Sequence, residues 1–143
     1  MKRLLGGADE RIARWVQKHC PLLELTTPYT AIGLLDQAGA ELVAGVVYDT
    51  FTGHNIEVHT AAVGKPWTRL YLGECFRYPF EQLKVERLTA KIAANNAASR
   101  AFVEGLGFKL EGTLRQWLPS GTDLMIYGML KSECRWLQAG LHG

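Results

Sequence analysis

The chain has 143 residues, 48% of them apolar and 21% charged, with a formal net charge of +2. That length suits one domain whose core holds without disulfides or metal, burying roughly two thirds of the unfolded surface. So small a charge gives no electrostatic case for a nucleic-acid or membrane-surface partner, and Cys20, Cys75 and Cys134, widely spaced and with no C-x-x-C pair, argue against a disulfide framework and a zinc site.

In chain order, Met1 to Leu5 can form a short first strand. Asp9 to His19 carries Ile12, Trp15 and Val16 at helical spacing, with Pro21 as its stop. Thr30 to Leu35 and Leu42 to Phe51 read as β-rich runs joined by the turn Gln37-Ala-Gly-Ala, and Thr52-Gly-His-Asn leads into a third, Ile56 to Val63, completing an antiparallel meander. After the loop Gly64-Lys-Pro-Trp-Thr, the spacing of Leu70, Phe76, Phe80 and Leu83 predicts a helix that Pro79 kinks or ends. Leu88 to Ala93 is the next strand. Asn96 opens a helix with apolar positions at Ala98, Phe102, Val103 and Leu106, and Gly107 closes it. Phe108 to Leu118 and Leu124 to Leu130 then pair around Pro119-Ser-Gly-Thr-Asp. The pattern is α+β, one domain over residues 1–143, with no repeat, linker or low-complexity tract.

Function classes narrow by the same reading. No apolar run approaches a secretory signal or the approximately 18 to 20 residues of a bilayer-spanning helix, and together with unpaired thiols this points to a cytoplasmic protein without a membrane partner. G-x-S-x-G, H-E-x-x-H and Walker patterns do not occur. Trp67, Tyr71, Phe76, Tyr78 and Phe80 cluster, but on mixed helical faces and without the basic stripe a nucleic-acid binder needs, so they read as core. Cys75, mid-helix with no His neighbour, reads as packing.

The most informative stretch is Arg87 to Arg115, RLTAKIAANNAASRAFVEGLGFKLEGTLR. Its order of strand, Asn-x-x-Ser, helix, Leu-Gly-Phe and Glu-Gly-x-x-Arg resembles the C-terminal half of the GNAT acyltransferases, nearest to their ribosomal-protein N-acetyltransferase branch. The element order from Leu42 to Met129 follows the same family, and the chain's overall character, including Glu133-Cys-Arg-Trp-Leu, is similar to short GNAT-type proteins of phages and prophages. The resemblance implies a GNAT-like mixed central sheet flanked by helices, in which two parallel strands splay to form a cofactor slot. It also implies an N-acetyltransferase that uses acetyl-CoA and no metal, acting on an amine-bearing peptide or small molecule as a monomer or homodimer. Only one helix precedes Thr30 where most members have two, so the acceptor side should be open.

The same resemblance assigns residues. The pantetheine arm should lie along Thr60, Ala61, Ala62 and Val63. The pyrophosphate turn, R-x-x-G-x-G/A in the family, corresponds to Lys65 through Arg69, Leu70, Tyr71, Leu72 and Gly73, where Arg69 matches and Gly73 matches only loosely. Lys65 and Arg69 would supply charge, and helix N-terminal amides would face the phosphates. Glu57 and His59 project to one face of their strand, where the family keeps its general base; an imidazole titrating ordinarily near 6.5 suits that work. The bland alternative for both is an exposed strand residue. Ser99 stands where the ribosomal branch carries the group proposed to protonate the CoA sulfur, and Asn96 where the family's Asn contacts pantetheine; structurally the two can be a cap and its first-turn partner. Arg100 either reaches the CoA phosphates or is a solvated helix residue. The altered loop with Pro66 keeps a rival open, a catalytically inactive GNAT-fold binding or assembly protein.

Overall fold

A computed structural model describes residues 3–20 and 23–137; Met1 and Lys2 of the expected first strand, and the expected helix stop Pro21, lie outside the described residues. The elements run β1 (Arg3–Leu5), α1 (Asp9–His19), β2 (Thr30–Leu35), β3 (Leu42–Asp49), β4 (Asn55–Ala62), α2 (Arg69–Arg77), a π-helical turn (Tyr78–Gln82), β5 (Arg87–Ala93), α3 (Ala97–Leu106), β6 (Lys109–Leu114), β7 (Leu124–Leu130) and a 3-10 turn (Lys131–Glu133). They build one seven-stranded sheet of order β1-β2-β3-β4-β5-β7-β6.

α1 forms where the spacing predicts it. Asp9 and Glu10 open it and Lys18 lies in its last turn, each sign complementing the helix dipole. Its buried stripe of Ile12, Ala13 and Val16 covers Ala31, Leu35, Leu42 and Val47 on one face of the sheet. The paired glycines Gly33 and Gly45 let the helix sit close: a Cβ on Gly45 would lie 2.9 Å from Val16 Cγ2, and one on Gly33 3.1 Å from Ile12 Cγ1. α2, the π turn and α3 cover the opposite face with a larger core in which Tyr48, Phe80, Leu88, Tyr127 and Met129 are almost wholly buried.

Local backbone conformation accounts for the elements that differ from their predicted bounds. β3 ends at Asp49 and not Phe51 because Thr50 takes a positive φ of 54°, and β6 ends at Leu114 and not Leu118 before Gln116 at φ 52°. Pro79 does not stop its helix. It widens it: Leu83 N–H donates to Tyr78 O at 3.0 Å, five residues back, and so the missing Pro N–H is absorbed in a π turn. Asn96 accepts from Ser99 N–H at 3.2 Å as the α3 cap, and Gly107 ends that helix in the left-handed region at φ 113°.

The arrangement that positions a site lies in the middle of the sheet. β4 and β5 are its parallel pair, joined through α2, and they are paired only from Asn55↔Arg87 to Glu57↔Thr89. Side chains stitch that short ladder, with Thr89 Oγ1 donating to Asn55 Oδ1 at 2.7 Å and Arg87 bonding both residues. Beyond Glu57 the strands diverge toward their C-terminal ends, as expected for splayed strands, while β5 stays paired with β7 along its whole length.

Candidate active site

The divergence opens a cleft of about 830 Å³ that passes through the sheet. On the α1 face it is lined by His19, Cys20, Glu24, Glu57, His59 and Lys91; on the other by Val58, Leu72, Phe76, Ala90, Phe102 and Val103; and at one end by Asn96 and Ser99. The β4 backbone borders it. Val63 N–H donates to Val43 O at 2.9 Å, so by strand alternation Glu57, His59 and Ala61 direct their backbone groups at β3; on the other side the Val58 N–H closes the ladder with β5, and the Val58 carbonyl and the backbone groups of Thr60 and Ala62 are directed into the gap. The Thr60 carbonyl is reached there by the Cys20 thiol at 3.7 Å.

His59 and Glu57 are not exposed strand residues. Their side chains are 13% and 14% exposed, and each has a partner that sequence inspection did not single out. His59 Nε2 lies 2.7 Å from Asp49 Oδ1, and Asp49 Oδ2 accepts from Thr26 N–H at 3.0 Å and from Thr26 Oγ1 at 3.1 Å. Glu57 Oε1 pairs with Lys91 Nζ at 3.3 Å. Asp49 arrives through the β3–β4 register, which sets it opposite Glu57 and puts Val47 opposite His59. The one signal in the sequence was a lone acid closing an apolar strand.

Burial pushes the Asp49 carboxyl up, but the hydrogen bond and charge of His59 and the two bonds from Thr26 outweigh it and hold the carboxyl below its ordinary range. An ionised Asp49 accepts from Nε2–H, fixing that tautomer and leaving His59 Nδ1 as an acceptor. Asp49, Glu57 and His59 present ligand-type atoms within 4.8 Å of one another, although the hydrogen bonds from His59 and Thr26 and the Lys91 ion pair already satisfy them. The lowered carboxyl carries a sign. Its contribution to stability is complete above the ordinary carboxylate value near 3.9 and is lost as pH falls through the lower folded value. Acid unfolding followed by circular dichroism should therefore show a smaller loss of stability below pH about 4 in Asp49→Asn than in the parent; an identical acid limb would remove Asp49 from that account.

The remaining expected residues separate by burial. Thr60 lines the cleft, whereas Ala61 packs toward α1, Ala62 packs on the larger core and Val63 is exposed. Lys65, Arg69 and Leu70 are exposed around the α2 N-terminus. Tyr71, Leu72 and Gly73 are buried; the Tyr71 amide donates to its cap Thr68 Oγ1 at 3.1 Å and the Leu72 amide to Thr68 O at 2.9 Å. The helix thus offers the amides of Arg69 and Leu70 to an anion and not the longer row through Gly73. Trp67 stacks on Tyr71 with centroids 5.2 Å apart and leans on Phe102, closing this end of the cleft over the core.

Asn96 and Ser99 both form the cap pair and line the cleft, with no protein partner to the Ser99 hydroxyl among the described residues. Arg100 is half-exposed and tied down: its Nε donates to Tyr127 Oη at 3.0 Å and its Nη1 to Ala94 O at 3.1 Å, while Tyr127 donates to Glu104 at 2.6 Å. Phe102, Val103 and Leu106 belong to the core, as expected, and also form part of the cleft floor. Cys75 is buried packing, with its thiol pushed up to about 12 by that burial. Tyr71, Phe76 and Phe80 are core aromatics. Among the described residues no helix separates α1 from β2, and Leu23 and Glu24 of that connection line the cleft; no helix among them is long and apolar enough to cross a membrane.

No protein-family model matches this sequence, and no curated protein matches it either. Solved structures do. A GNAT-family acetyltransferase from Bacillus anthracis aligns with 72% of this chain and 67% of its own at 22% identity and a TM-score of 0.61. A ribosomal-protein-alanine acetyltransferase from Vibrio fischeri aligns with 88% and 72% at 18% identity and 0.64. A point mutant of the spermidine N-acetyltransferase from Vibrio cholerae aligns with 96% and 97% at 16% identity and 0.75. At these identities the likeness is one of fold, and the fold is that of the GNAT acetyltransferases.

Proposed function

We propose that this chain, which has the GNAT acetyltransferase fold, is an N-acetyltransferase that moves an acetyl group from acetyl-CoA to an amine acceptor. The observation that carries this reading is the meeting of three elements in the splayed cleft: the unpaired edge of β4, the Asp49–His59 pair and the Asn96–Ser99 cap. A shielded acid holding an imidazole in one tautomer on a cleft wall is the arrangement a general base needs.

The donor site fits an extended amide-bearing arm followed by phosphates. Thr60 and Ala62 offer backbone N–H and C=O groups into the gap and Val58 its C=O, as a further strand would require. Arg69 and Leu70 offer amides at the positive end of α2, with the charge of Arg69 and Lys65 beside them. Acetyl-CoA, when bound, supplies the activated thioester. His59 Nδ1 takes the proton of the amine as the new N–C bond forms, and Asp49 stabilises the resulting imidazolium through Nε2. The Ser99 hydroxyl would give a proton to the departing sulfur and recover one from water, while the His59 imidazolium loses its own to solvent. N–H groups on the β4 edge stabilise charge on the carbonyl oxygen.

The loop departs from the family pattern at Pro66 and offers only two free amides, so cofactor binding is the step to test first. Acetyl-CoA at about 100 times its dissociation constant should add roughly 2.7 kcal/mol, a rise in Tm on the order of 10 °C for a chain of this size. No rise at millimolar acetyl-CoA would favour the inactive binding or assembly protein. Arg69→Ala should weaken cofactor binding more than Ser99→Ala, because a phosphate contact acts in the ground state and a proton donor mainly in the transition state. Calorimetry of both variants checks this; a weaker binder in Ser99→Ala would reverse the assigned roles.

A further inference from the structure

We propose that this chain acetylates itself within the cleft, with Lys91 Nζ as the acceptor; this rests on the transferase reading above. The first ground is position. β4 and β5 hold their parallel register as far as Glu57↔Thr89, and carrying it on by two residues sets Lys91 across the gap from His59. Lys91 Nζ reaches back over the parted strands to Glu57 Oε1 at 3.3 Å. Glu57 and His59 in turn present their ligand-type atoms within 4.8 Å of each other. Among the described residues that line the cleft, Lys91 is the one primary amine. It stands on the α1 face with the candidate base, so a thioester brought along the β4 edge arrives at a gap that this amine already spans.

The second ground is tethering. An alkylamine of ordinary value near 10.4 is neutral in only about one molecule in 2,500 at pH 7. That handicap is offset for an amine built into the wall, because well-oriented intramolecular groups react as if present at about 10⁵ M or more. The Glu57 carboxylate keeps Nζ at the gap and out of bulk solvent. The step balances. The ammonium gives one proton to water, and the neutral amine attacks the acetyl carbon. Its second proton passes to His59 Nδ1 and on to solvent as the N–C bond forms, and the C–S bond breaks with the sulfur taking up one proton. The products are an amide at Lys91, the CoA thiol and one proton released. The amide carries no charge, so Glu57, 14% exposed, loses its cation beside the Asp49–His59 pair and the wall becomes more acidic.

The test incubates the full chain with deuterium-labelled acetyl-CoA at pH 7, without added amine, and maps labelled lysines by mass spectrometry. Lys109 is the internal control: it is also paired with a carboxylate, Glu133, but its side chain is 71% exposed against 41% for Lys91, and it does not line the cleft. Chemical acetylation governed by exposure would favour Lys109. Reaction in the cleft should label Lys91 at least about tenfold faster, with a rate constant unchanged over about a hundredfold range of protein concentration. Excess desulfo-CoA, which competes for the same slot, should suppress labelling of Lys91 and leave Lys109 unaffected. Lys91 labelled no faster than Lys109, at a rate that climbs with protein concentration, or regardless of desulfo-CoA, overturns the proposal. A parallel reaction offers spermidine and a peptide with a free N-terminus. Transfer to either with Lys91 unlabelled overturns self-acetylation and leaves the transferase reading standing. Absence of transfer to Lys91 and to both added amines overturns the transferase reading, and the proposal with it.

Discussion

His59→Gln should lower kcat/KM for the acceptor by about 10²- to 10³-fold while leaving acetyl-CoA affinity unchanged, because a general base contributes in this range and acts only as the amine loses its proton. The expected magnitude follows from the surroundings of His59, which is largely shielded and held by an ionised Asp49 at 2.7 Å. Asp49→Asn should cost at least about tenfold, or ~1.4 kcal/mol of barrier, because the amide no longer fixes the Nε2–H tautomer or stabilises the imidazolium. Glu57→Gln separates the two candidates for the base. If His59 serves, the limb of the pH–rate profile that reports the base disappears in His59→Gln and survives in Glu57→Gln; the reverse pattern assigns the role to Glu57. A loss smaller than tenfold in both variants would mean that the amine arrives neutral or gives its proton to water, and that the cleft holds no dedicated base.

Phe80→Ala should destabilise the protein by about 3 to 5 kcal/mol and lower Tm by roughly 10 to 20 °C, the range for removing a wholly buried aromatic side chain from a core that cannot collapse around the void. Phe80 is 0% exposed in the π turn that carries the chain from α2 back into β5. The backbone there is already committed: Leu83 N–H is bonded to Tyr78 O and Val85 N–H to Pro79 O, so the turn has little freedom to close the cavity. Phe80→Leu should cost less, about 1 to 2 kcal/mol, since most of the volume is kept. Thermal unfolding of the two variants measures the difference. Equal and small losses would show that the π turn relaxes and that the α2–β5 connection is not rigidly packed.

Much of the fold was legible because its signals are local. The 3.6-residue spacing of Ile12 and Val16 predicted α1 at its observed bounds. The cap chemistry of Asn96 and Gly107 predicted both ends of α3, and the helix between Ile56–Val63 and Leu88–Ala93 required those strands to be parallel. Strand ends were less legible where a single non-glycine residue, Thr50 or Gln116, turns to positive φ, which residue type does not announce. Pro79 was visible as an interruption, but whether it broke the helix or widened it depended on packing around Phe80.

For the site, the sequence by itself determined that Glu57 and His59 share a strand face and that Asn96 caps a helix, because period-2 alternation and cap positions are properties of neighbouring residues; its resemblance to the GNAT acyltransferases implied which strand and helix would border the cleft and brought these residues and Ser99 forward as candidates. Only the tertiary structure decided their partners. Asp49 is ten residues from His59, Lys91 lies on another strand from Glu57, and Thr26 comes from a coil segment. Those distances along the chain are closed by sheet register and by the splay of β4 from β5. The same packing decided that Arg100 is held by Tyr127 and Ala94, and that Tyr71 to Gly73 are buried with the Tyr71 and Leu72 amides spent on Thr68. Electrostatic environment is a sum over neighbours in space, and neighbours in space are what a one-dimensional pattern leaves unspecified.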